Sequence, residues 1–285
     1  MARRSRLEGK VAIVTGAGSM PGPGVATGRA TAIVLAREGA RVLLADIRPD
    51  RVEETQSIIA SEEGTASVFV GDMTKAADCE AMVRAAVTAF GTLDVLVNNI
   101  AVALPGDVTS TSEADWDRVL DAGLRTTFLA SKYAVPVMAA QGSGAIVNIG
   151  SIAAVRGTGN VAYAAAKGAV HALTIDMAYS HGRQGIRVNA IAPGHITTPL
   201  MFASLGQTQT PQTQFRQQMR AAAGLLGTEG DGWDVGWAAA FLASDEARWI
   251  TGAVLPVDAG VMAVTPLPMA PHLRAVASPS GDGVL

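Results

Sequence analysis

Three side chains able to take part in proton transfer lie close together in the middle of the sequence. Ser151 follows an apolar run, residues 145–149, that is typical of a buried strand. Tyr163 and Lys167 are four residues apart, so on a helix they lie on one face and one turn from each other. Because open α/β sheets bind ligands at the carboxyl ends of their strands, this spacing predicts that a hydroxyl, a phenol and an ammonium group converge on one site.

These three groups suit acid–base chemistry at an alcohol or carbonyl oxygen. A free tyrosine has a pKa of about 10 and is a poor base at neutral pH, whereas a cation within about 4–6 Å favours the phenolate. We expect Lys167 to lower the pKa of Tyr163, Tyr163 to act as general acid or base, and Ser151 to hold the reacting oxygen. The alternative is a tyrosine packed at a helix start beside a solvated lysine. The strand-end serine and the motifs on both sides favour catalysis.

The composition is that of a globular protein with a sizeable core. Of the 285 residues, 49% are hydrophobic and 16% are charged, which argues against a disordered chain. The net charge of −3 gives no electrostatic basis for binding nucleic acid or a membrane surface. No apolar stretch reaches the roughly 20 residues of a spanning helix, and the apolar run after the basic start is too short for a signal peptide. We therefore expect a soluble, cytoplasmic protein.

Cysteine and histidine usage narrows the chemistry further. The single cysteine, Cys79, excludes an internal disulfide, fits a reducing compartment and lies in a helical pattern that predicts a small core residue. The four histidines do not have the spacing of metal ligands, so no metal site is predicted. His171, one turn beyond Lys167, is expected to belong to a packed surface.

The N-terminal segment has the pattern of a βαβ unit with a glycine-rich first turn. Residues 11–14 predict a buried strand, residues 30–39 a helix and residues 41–46 a second strand. The candidates for phosphate binding in this unit are Gly16, Gly18 and Gly28. Glycines let the backbone approach a pyrophosphate, and a helix start supplies N–H groups and a positive dipole end. The segment therefore predicts a dinucleotide site.

The second strand ends in an acid that bears on the choice of cofactor. Asp46 lies eighteen residues after Gly28, where a carboxylate can accept from both adenosine ribose hydroxyls and repel a 2′-phosphate. This position favours NAD over NADP. Arg48 keeps NADP open as the alternative, because a nearby arginine could meet that phosphate.

In combination, these motifs resemble the short-chain dehydrogenase/reductase family over roughly residues 9–260. The motifs that carry the resemblance are the glycine turn from Thr15, Asn98-Asn99, the set Ser151, Tyr163 and Lys167, and Pro193-Gly194. The resemblance implies a single doubly wound Rossmann domain with a central, mostly seven-stranded parallel sheet flanked by helices. The alternation of predicted strands and helices is consistent with that α/β fold. It also implies an NAD-dependent oxidoreductase that interconverts a secondary alcohol and a ketone.

The resemblance assigns further residues to the cofactor. It implies that Asp72 meets the adenine amino group and that Met73 lies along the base. Ile196 and Thr198 are implied to meet the nicotinamide carboxamide, and Lys167 to hold the nicotinamide ribose. The other positions assigned to the cofactor cleft by the same matching motifs are Asn99, Tyr163 and Pro193.

The glycine turn departs from the family form, Thr-Gly-x-x-x-Gly-x-Gly. In one alignment, residues 20–25 are a six-residue insertion and Ala26 replaces the middle glycine. In the other alignment, Gly22 and Gly24 are the two later glycines. We prefer the first, because it keeps the following helix at a normal length. Pro21 and Pro23 would stiffen the inserted loop.

Two further departures concern the site itself. Ile100 and Ala101 replace the smaller Ala-Gly of the family after its two asparagines. Residues 113–138 predict one long helix, and Gly123 lies where the family has an asparagine that completes the catalytic set. These changes motivate an alternative hypothesis, a non-catalytic scaffold or sensor that binds the nicotinamide nucleotide. The intact serine, tyrosine and lysine favour an enzyme.

The domain organisation follows from the same pass along the chain. Residues 1–260 predict one domain with a substrate lid at about residues 199–231, and residues 261–285 a Pro-rich extended tail. The segments expected around the pocket are apolar with few charges, which favours a neutral, fairly hydrophobic alcohol or ketone as substrate. The predicted helix that carries Tyr163 is apolar nearly all round, so we expect one side to contact another subunit in a homodimer or homotetramer.

Overall fold

The structure is a computed structural model that describes residues 5–204 and 210–277. Its strands are β1 (Val11–Thr15), β2 (Arg41–Asp46), β3 (Thr65–Val70), β4 (Val95–Asn98), β5 (Gly144–Ile149), β6 (Ile186–Pro193), β7 (Ile196–Thr197), β8 (Gly230–Asp231) and β9 (Val254–Val257). Its α-helices are α1 (Thr27–Arg37), α2 (Pro49–Ser61), α3 (Ala76–Phe90), α4 (Glu113–Leu120), α5 (Thr126–Gln141), α6 (Val161–His181), α7 (Pro199–Ser204), α8 (Pro211–Ala222), α9 (Gly232–Ala243) and α10 (Pro266–Ala277).

The central sheet confirms the predicted fold class. Seven strands pair in the order β3-β2-β1-β4-β5-β6-β9, and every pairing is parallel. The strand order reverses direction between β1 and β4, which creates a crevice at the carboxyl ends of the strands. The short strands β7 and β8 pair separately, beyond the end of β6.

Helices cover both faces of the sheet and bury two apolar cores. On one face α1 packs against α9, with Ile33, Leu35 and Leu242 in the core. On the other face α3, α5 and α6 bury residues that include Met82. The continuous apolar strands of the sequence are buried on both sides in this arrangement. Cys79 lies in the second core, as predicted, and burial raises the pKa of its thiol to about 11.

A line of buried polar side chains joins the centre of the sheet to α6. The Asn98 side-chain nitrogen donates to Asn148 Oδ1 at 2.8 Å and to Ser131 Oγ at 3.1 Å. Asn148 in turn donates to Thr174 Oγ1 on α6 at 2.9 Å. These bonds connect β4, β5, α5 and α6 within the interior, so Asn98 braces the centre of the sheet.

The predicted single helix over residues 113–138 is interrupted in the structure. It consists of α4, a π-helical turn from Asp121 to Arg125, and α5. The Thr126 N–H bonds to the carbonyl of Asp121, five residues back, and the glycine at position 123 lies in the centre of this turn. Glycine is a weak helix former, and single π turns are frequent at functional sites.

The prediction of an extended tail is wrong for residues 266–277, which form α10. Pro266 and Pro268 lie in the first turn, where the missing N–H groups would have no partner within the helix anyway. The helix packs against α8, and its Met269 is buried. Before α10, residues 261–263 form a 3-10 turn, and residues 278–285 lie outside the described part of the chain. The division of the chain at residue 260 stays a prediction.

Candidate active site and nucleotide cleft

One cleft of about 940 Å³ runs along the carboxyl ends of the strands and collects the predicted site residues. All of them line it: Gly16, Gly18, Gly28, Asp46, Asp72, Met73, Asn99, Ser151, Tyr163, Lys167, Pro193, Ile196 and Thr198. Asp46 lies at the end of β2, and Thr198 follows β7. Within residues 5–204 and 210–277, no group of three or more potential ligand side chains could hold a metal ion. The same residues contain no helix long and apolar enough to cross a bilayer.

Ser151, Tyr163 and Lys167 meet at one corner of this cleft, which we call the catalytic corner. Ser151 follows β5 and caps a short 3-10 turn, accepting the N–H of Ala153 at 3.1 Å. Tyr163 and Lys167 lie one turn apart on α6, and the Lys167 nitrogen is 5.7 Å from the centroid of the Tyr163 ring. Lys167 is buried, and it donates to the carbonyl oxygen of Ile149 at 2.5 Å. The two elements predicted from the spacing therefore place the three groups together.

Burial controls the protonation of the catalytic corner. It raises the pKa of Tyr163 above its ordinary value, while the hydrogen bond with Ser151 acts in the opposite direction. Burial also lowers the pKa of Lys167 to about 8, because the charged ammonium loses hydration. Both shifts disfavour charge in the protein alone, so a phenol that carries its proton faces the cleft. The lowering of the Tyr163 pKa by Lys167 that the sequence predicts is not seen here, because burial of the phenol outweighs it.

His171 packs behind the catalytic corner, as expected, and does not line the cleft. Its Nε2 atom is buried, has no hydrogen-bond partner among the residues that the structure describes, and lies against Gly150. A Cβ atom added to Gly150 would lie 2.3 Å from that nitrogen, so only glycine fits before Ser151. Burial and the neighbouring Lys167 lower the pKa of His171, which favours the neutral imidazole.

The glycine turn between β1 and α1 is closed around Gly16 and Gly28. A Cβ atom at Gly28 would lie 1.9 Å from the carbonyl oxygen of Gly16, so this close approach requires glycine. Asn99 donates to the same oxygen at 3.1 Å and its backbone N–H donates to Thr15 at 3.1 Å. Gly28 lies in the first turn of α1. This geometry supports the alignment in which residues 20–25 are an insertion.

Charged side chains mark the far end of the cleft. Asp46 accepts the N–H of Gly18 at 2.9 Å with one carboxylate oxygen and the N–H of Arg48 at 3.0 Å with the other. The Arg48 guanidinium pairs with Asp50 at 3.1 Å and does not line the cleft. Arg51, which sequence reasoning missed, lines the cleft beside Gly18. No motif singled it out, because it is one of several charged residues on α2.

A second group missed by sequence reasoning joins the segment predicted to be the lid to the opposite end of the cleft. We call Arg220, Glu229 and strand β7 the lid base. The Arg220 guanidinium pairs with Glu229 and donates to the carbonyl oxygen of Ile196 at 3.0 Å. Glu229 also accepts the Thr197 hydroxyl at 2.7 Å, and His195 Nδ1 lies 3.0 Å from the carbonyl oxygen of Arg220. These residues share no sequence periodicity, so no pattern signalled the pairing.

Gly123 lies beside α6, behind the wall of the cleft. A Cβ atom added there would have one neighbour within 4 Å, the Cβ of Ala166 at 3.3 Å. The Gly123 carbonyl accepts the Thr127 hydroxyl at 3.1 Å. The flanking residues Ala122 and Thr126 reach the cleft, whereas Gly123 does not. The position therefore has room for a larger side chain at the price of a small shift.

Comparison with known proteins gives one consistent result. A family model described as enoyl-(acyl carrier protein) reductase matches residues 24–262. The chain is 37% identical to 2-(S)-hydroxypropyl-CoM dehydrogenase 3 of Xanthobacter autotrophicus, over 91% of this chain and 99% of that protein. It is 34% identical to cyclohexanol dehydrogenase of Acinetobacter, over 89% of this chain and 95% of that protein.

Solved structures agree with these relatives. The structure of levodione reductase superimposes with a TM-score of 0.84 at 33% identity, covering 91% of this chain and all of that one. A 7α-hydroxysteroid dehydrogenase complexed with NADH and 7-oxo glycochenodeoxycholic acid superimposes with a TM-score of 0.80 at 32% identity. That match covers 90% of this chain and 96% of the steroid dehydrogenase.

Proposed function

The chain belongs to the short-chain dehydrogenase/reductase family and is an NAD(P)-dependent oxidoreductase of CH–OH groups, and from this premise we propose that it interconverts a secondary alcohol and a ketone with NAD. The observation that carries the proposal is the catalytic corner. Ser151, Tyr163 and Lys167 lie together at the carboxyl end of β5, in the wall of the nucleotide cleft.

The cleft fits a dinucleotide along its whole length. The glycine turn leaves no room for a side chain at Gly28 and presents backbone at the start of α1, where a pyrophosphate is favoured. Asp46 would hold the adenosine ribose, and Asp72 and Met73 would flank the adenine. The lid side would hold the nicotinamide through Ile196 and Thr198. When bound, the nicotinamide supplies or accepts the hydride.

The chain's own residues perform the proton transfer. In ketone reduction, the Tyr163 hydroxyl donates its proton to the carbonyl oxygen, and Ser151 donates a hydrogen bond to the same oxygen. In alcohol oxidation the direction reverses, and the Tyr163 phenolate accepts the proton. The Lys167 ammonium stabilises that phenolate electrostatically, and its bond to Ile149 fixes the ammonium in place.

The preference for NAD is supported by the position of Asp46. Both of its carboxylate oxygens accept backbone N–H bonds, which hold the negative charge at the ribose end of the cleft. Arg48 pairs with Asp50 instead of the cleft. Arg51 is the observation that favours the alternative, an NADP-dependent carbonyl reductase, because its side chain lines the cleft close to Gly18.

The substrate that we propose is neutral and fairly hydrophobic. The wall around the catalytic corner includes Val102, Ala153, Leu200 and Met201. Arg220 also lines the cleft, but its charge is balanced by Glu229. An anionic substrate would have to compete with that pairing. A secondary alcohol or ketone on an apolar skeleton meets no such competition.

We further propose that the enzyme is a cytoplasmic homodimer or homotetramer. Exposed apolar side chains on α5 and α6 support self-association: Phe128, Ile175 and Tyr179 are 49%, 56% and 85% exposed. A reducing compartment is supported by the one thiol in the sequence, which is buried and unpaired.

Separate titrations with NADH and NADPH, followed by tryptophan fluorescence, test the cofactor assignment. We expect NADH to bind at least about tenfold more tightly, because Asp46 accepts from the ribose hydroxyls and repels a 2′-phosphate. In Asp46→Asn this preference should fall sharply, whereas Glu80→Gln, an exposed acid on α3, should preserve it. Tighter binding of NADPH by the wild type would establish the NADP alternative. Binding of neither nucleotide would contradict both the proposed function and the non-catalytic hypothesis, since each requires a bound nicotinamide nucleotide.

A further inference from the structure

The insertion in the glycine turn, residues 20–25, bridges the two walls of the cleft. One wall contains the glycine turn and the start of α1, and the other contains the segment from Pro193 to Met201. Met20 faces the cleft, whereas residues 21–24 are exposed to solvent. The insertion therefore covers the cleft from outside and does not fill it.

The contacts that close this bridge are made by backbone. A Cβ atom added to Gly24 would lie 2.7 Å from the carbonyl oxygen of Thr197, which shows how closely the two chains approach. A Cβ atom added to Gly22 would lie 3.5 Å from the Cβ of Pro199. At the last residue of the insertion, the carbonyl oxygen of Val25 lies against Gly232 at the start of α9. The insertion is therefore anchored at its base and touches the opposite wall at its tip.

We propose that residues 20–25 form a strap over the bound nucleotide that must release Thr197 before the cofactor can exchange. The inference rests on the proposed function, because it needs a nucleotide in the cleft. A dinucleotide that extends from Asp46 to Thr198 has to pass between the two walls that the strap joins. The strap adds a segment to the cofactor site that the family pattern lacks.

The composition of the strap suits this role. Pro21 and Pro23 restrict the backbone, so little conformational entropy is lost when the strap closes. The glycines allow contact with Thr197 and Pro199 without an intervening side chain. Among the described residues, no side-chain hydrogen bond or ion pair ties Pro21 to Gly24 across the cleft. Contacts of this kind can open on a turnover timescale.

A deletion tests the strap directly. Removing residues 20–25 joins Ser19 to Ala26 and restores the family spacing of the turn. We expect both association and dissociation of NADH to accelerate, with dissociation faster by at least about tenfold, because rate changes of that size follow the loss of a closed state. Dissociation is measured by stopped flow, from the loss of energy transfer from tryptophan when excess NAD⁺ displaces bound NADH.

A point substitution isolates the contact with Thr197. Gly24→Ala adds a Cβ atom that clashes with the Thr197 carbonyl, and its backbone has a φ of +79°. Gly9→Ala is the matched control, because Gly9 has a φ of +77° and no atom within 4 Å of an added Cβ. Faster NADH dissociation in Gly24→Ala, with Gly9→Ala unchanged, supports the strap.

The outcomes separate this proposal from the proposed function. If wild-type protein binds neither NADH nor NADPH, the proposed function fails. If NADH binds and dissociates at the wild-type rate from both the folded deletion variant and Gly24→Ala, the strap is wrong and the function stands. Should the deletion variant fail to fold, Pro21→Gly with Pro23→Gly loosens the strap without removing it. An unchanged dissociation rate in that double variant and in Gly24→Ala would overturn the proposal.

Discussion

The catalytic corner and the lid base face the same cleft but are held in different ways. The catalytic corner depends on a central strand and the helix packed on the sheet, because Ser151 follows β5 and Tyr163 and Lys167 lie on α6. The lid base depends on side chains from distant segments, with Arg220 on α8 paired to Glu229 in the following loop and bonded to Ile196.

This difference separates chemistry from binding. The catalytic corner is held by the packing of α6 against the central sheet, so changes there should alter the proton transfer and leave the cleft intact. The lid base is a small set of polar contacts on a peripheral segment, so changes there should alter how substrate and nicotinamide are held. The following predictions test that division, from the largest expected effect to the smallest.

Tyr163→Phe should have the largest effect on turnover. We expect kcat to fall by about 10³-fold, because the phenol supplies general acid–base catalysis that is worth about 10²–10⁴-fold. The affinity for NADH should stay close to the wild-type value. Steady-state rates on a panel of secondary alcohols and an NADH titration provide the two measurements. Tyr179→Phe, an exposed tyrosine on the same helix, is the control, and wild-type turnover in Tyr163→Phe would refute the assignment.

Lys167→Met should reduce turnover about 100-fold without destabilising the protein at pH 7. The folded-state pKa of Lys167 is lowered to about 8, below the value of about 10.4 in an unfolded chain. Between these values the unfolded chain binds more protons, so the wild type gains stability as the pH rises through this range. Below pH 8 the buried ammonium opposes folding, and methionine removes that penalty while also losing the bond to Ile149.

Thermal unfolding at pH 7 and pH 10 measures this linkage. We expect the melting temperature of Lys167→Met to equal or exceed that of the wild type at pH 7, and the difference to shift in favour of the wild type at pH 10. Lys132→Met, at an exposed position on α5, should show no such dependence on pH. A difference between wild type and Lys167→Met that is the same at both pH values would contradict the burial of a lowered-pKa lysine.

Arg220→Ala should act on binding. We expect the KM for substrate to rise about tenfold with kcat changed much less, because the guanidinium holds the lid against Ile196 and does not touch the reacting oxygen. A double variant with Glu229→Ala should lose little more than either single variant, since the two side chains form one pair. Arg216→Ala, an exposed position on α8, is the control. A loss confined to kcat would place Arg220 in the chemistry instead.

Gly123→Asn should have the smallest effect. The added Cβ atom meets Ala166 at 3.3 Å, so a shift of a few tenths of an ångström accommodates it. We expect turnover to stay similar or to rise, measured under saturating substrate and cofactor. Gly142→Asn, at the end of α5 with open space around it, controls for the change in composition. A collapse of turnover in Gly123→Asn would show that the glycine serves a different arrangement at the π turn.

The sequence was sufficient for the sheet and the catalytic corner because backbone spacing determines both. The apolar strands, the glycine turn and the four-residue step from Tyr163 to Lys167 each encode a position that tertiary packing preserves. The predicted site residues gather in one cleft for the same reason, since the carboxyl ends of parallel strands share one edge. Their individual contacts with the cofactor stay predictions.

Other features depend on partners that are distant in sequence, and no local pattern revealed them. In the sequence, nothing distinguishes Arg220 and Glu229 from other charged residues. Their pairing depends on the segment from α8 to β8 lying beside β7. The prolines after residue 265 suggested an extended tail, but packing against α8 stabilises a helix that has Pro266 and Pro268 in its first turn and Pro271 in its interior. The π turn at Gly123 could not be predicted from the sequence, because it depends on how α4 and α5 each pack.

The buried polar line through Asn98, Asn148 and Thr174 has a consequence for how the enzyme would lose activity on heating. A slip of one residue between β4 and β5 would leave buried side-chain amides without hydrogen-bond partners. Each unpaired amide would destabilise the fold by about 1–3 kcal/mol. The same line ties α6, and with it Tyr163 and Lys167, to the middle of the sheet. We therefore expect the proton-transfer apparatus to persist as long as the sheet does, and thermal inactivation to coincide with cooperative melting of the sheet.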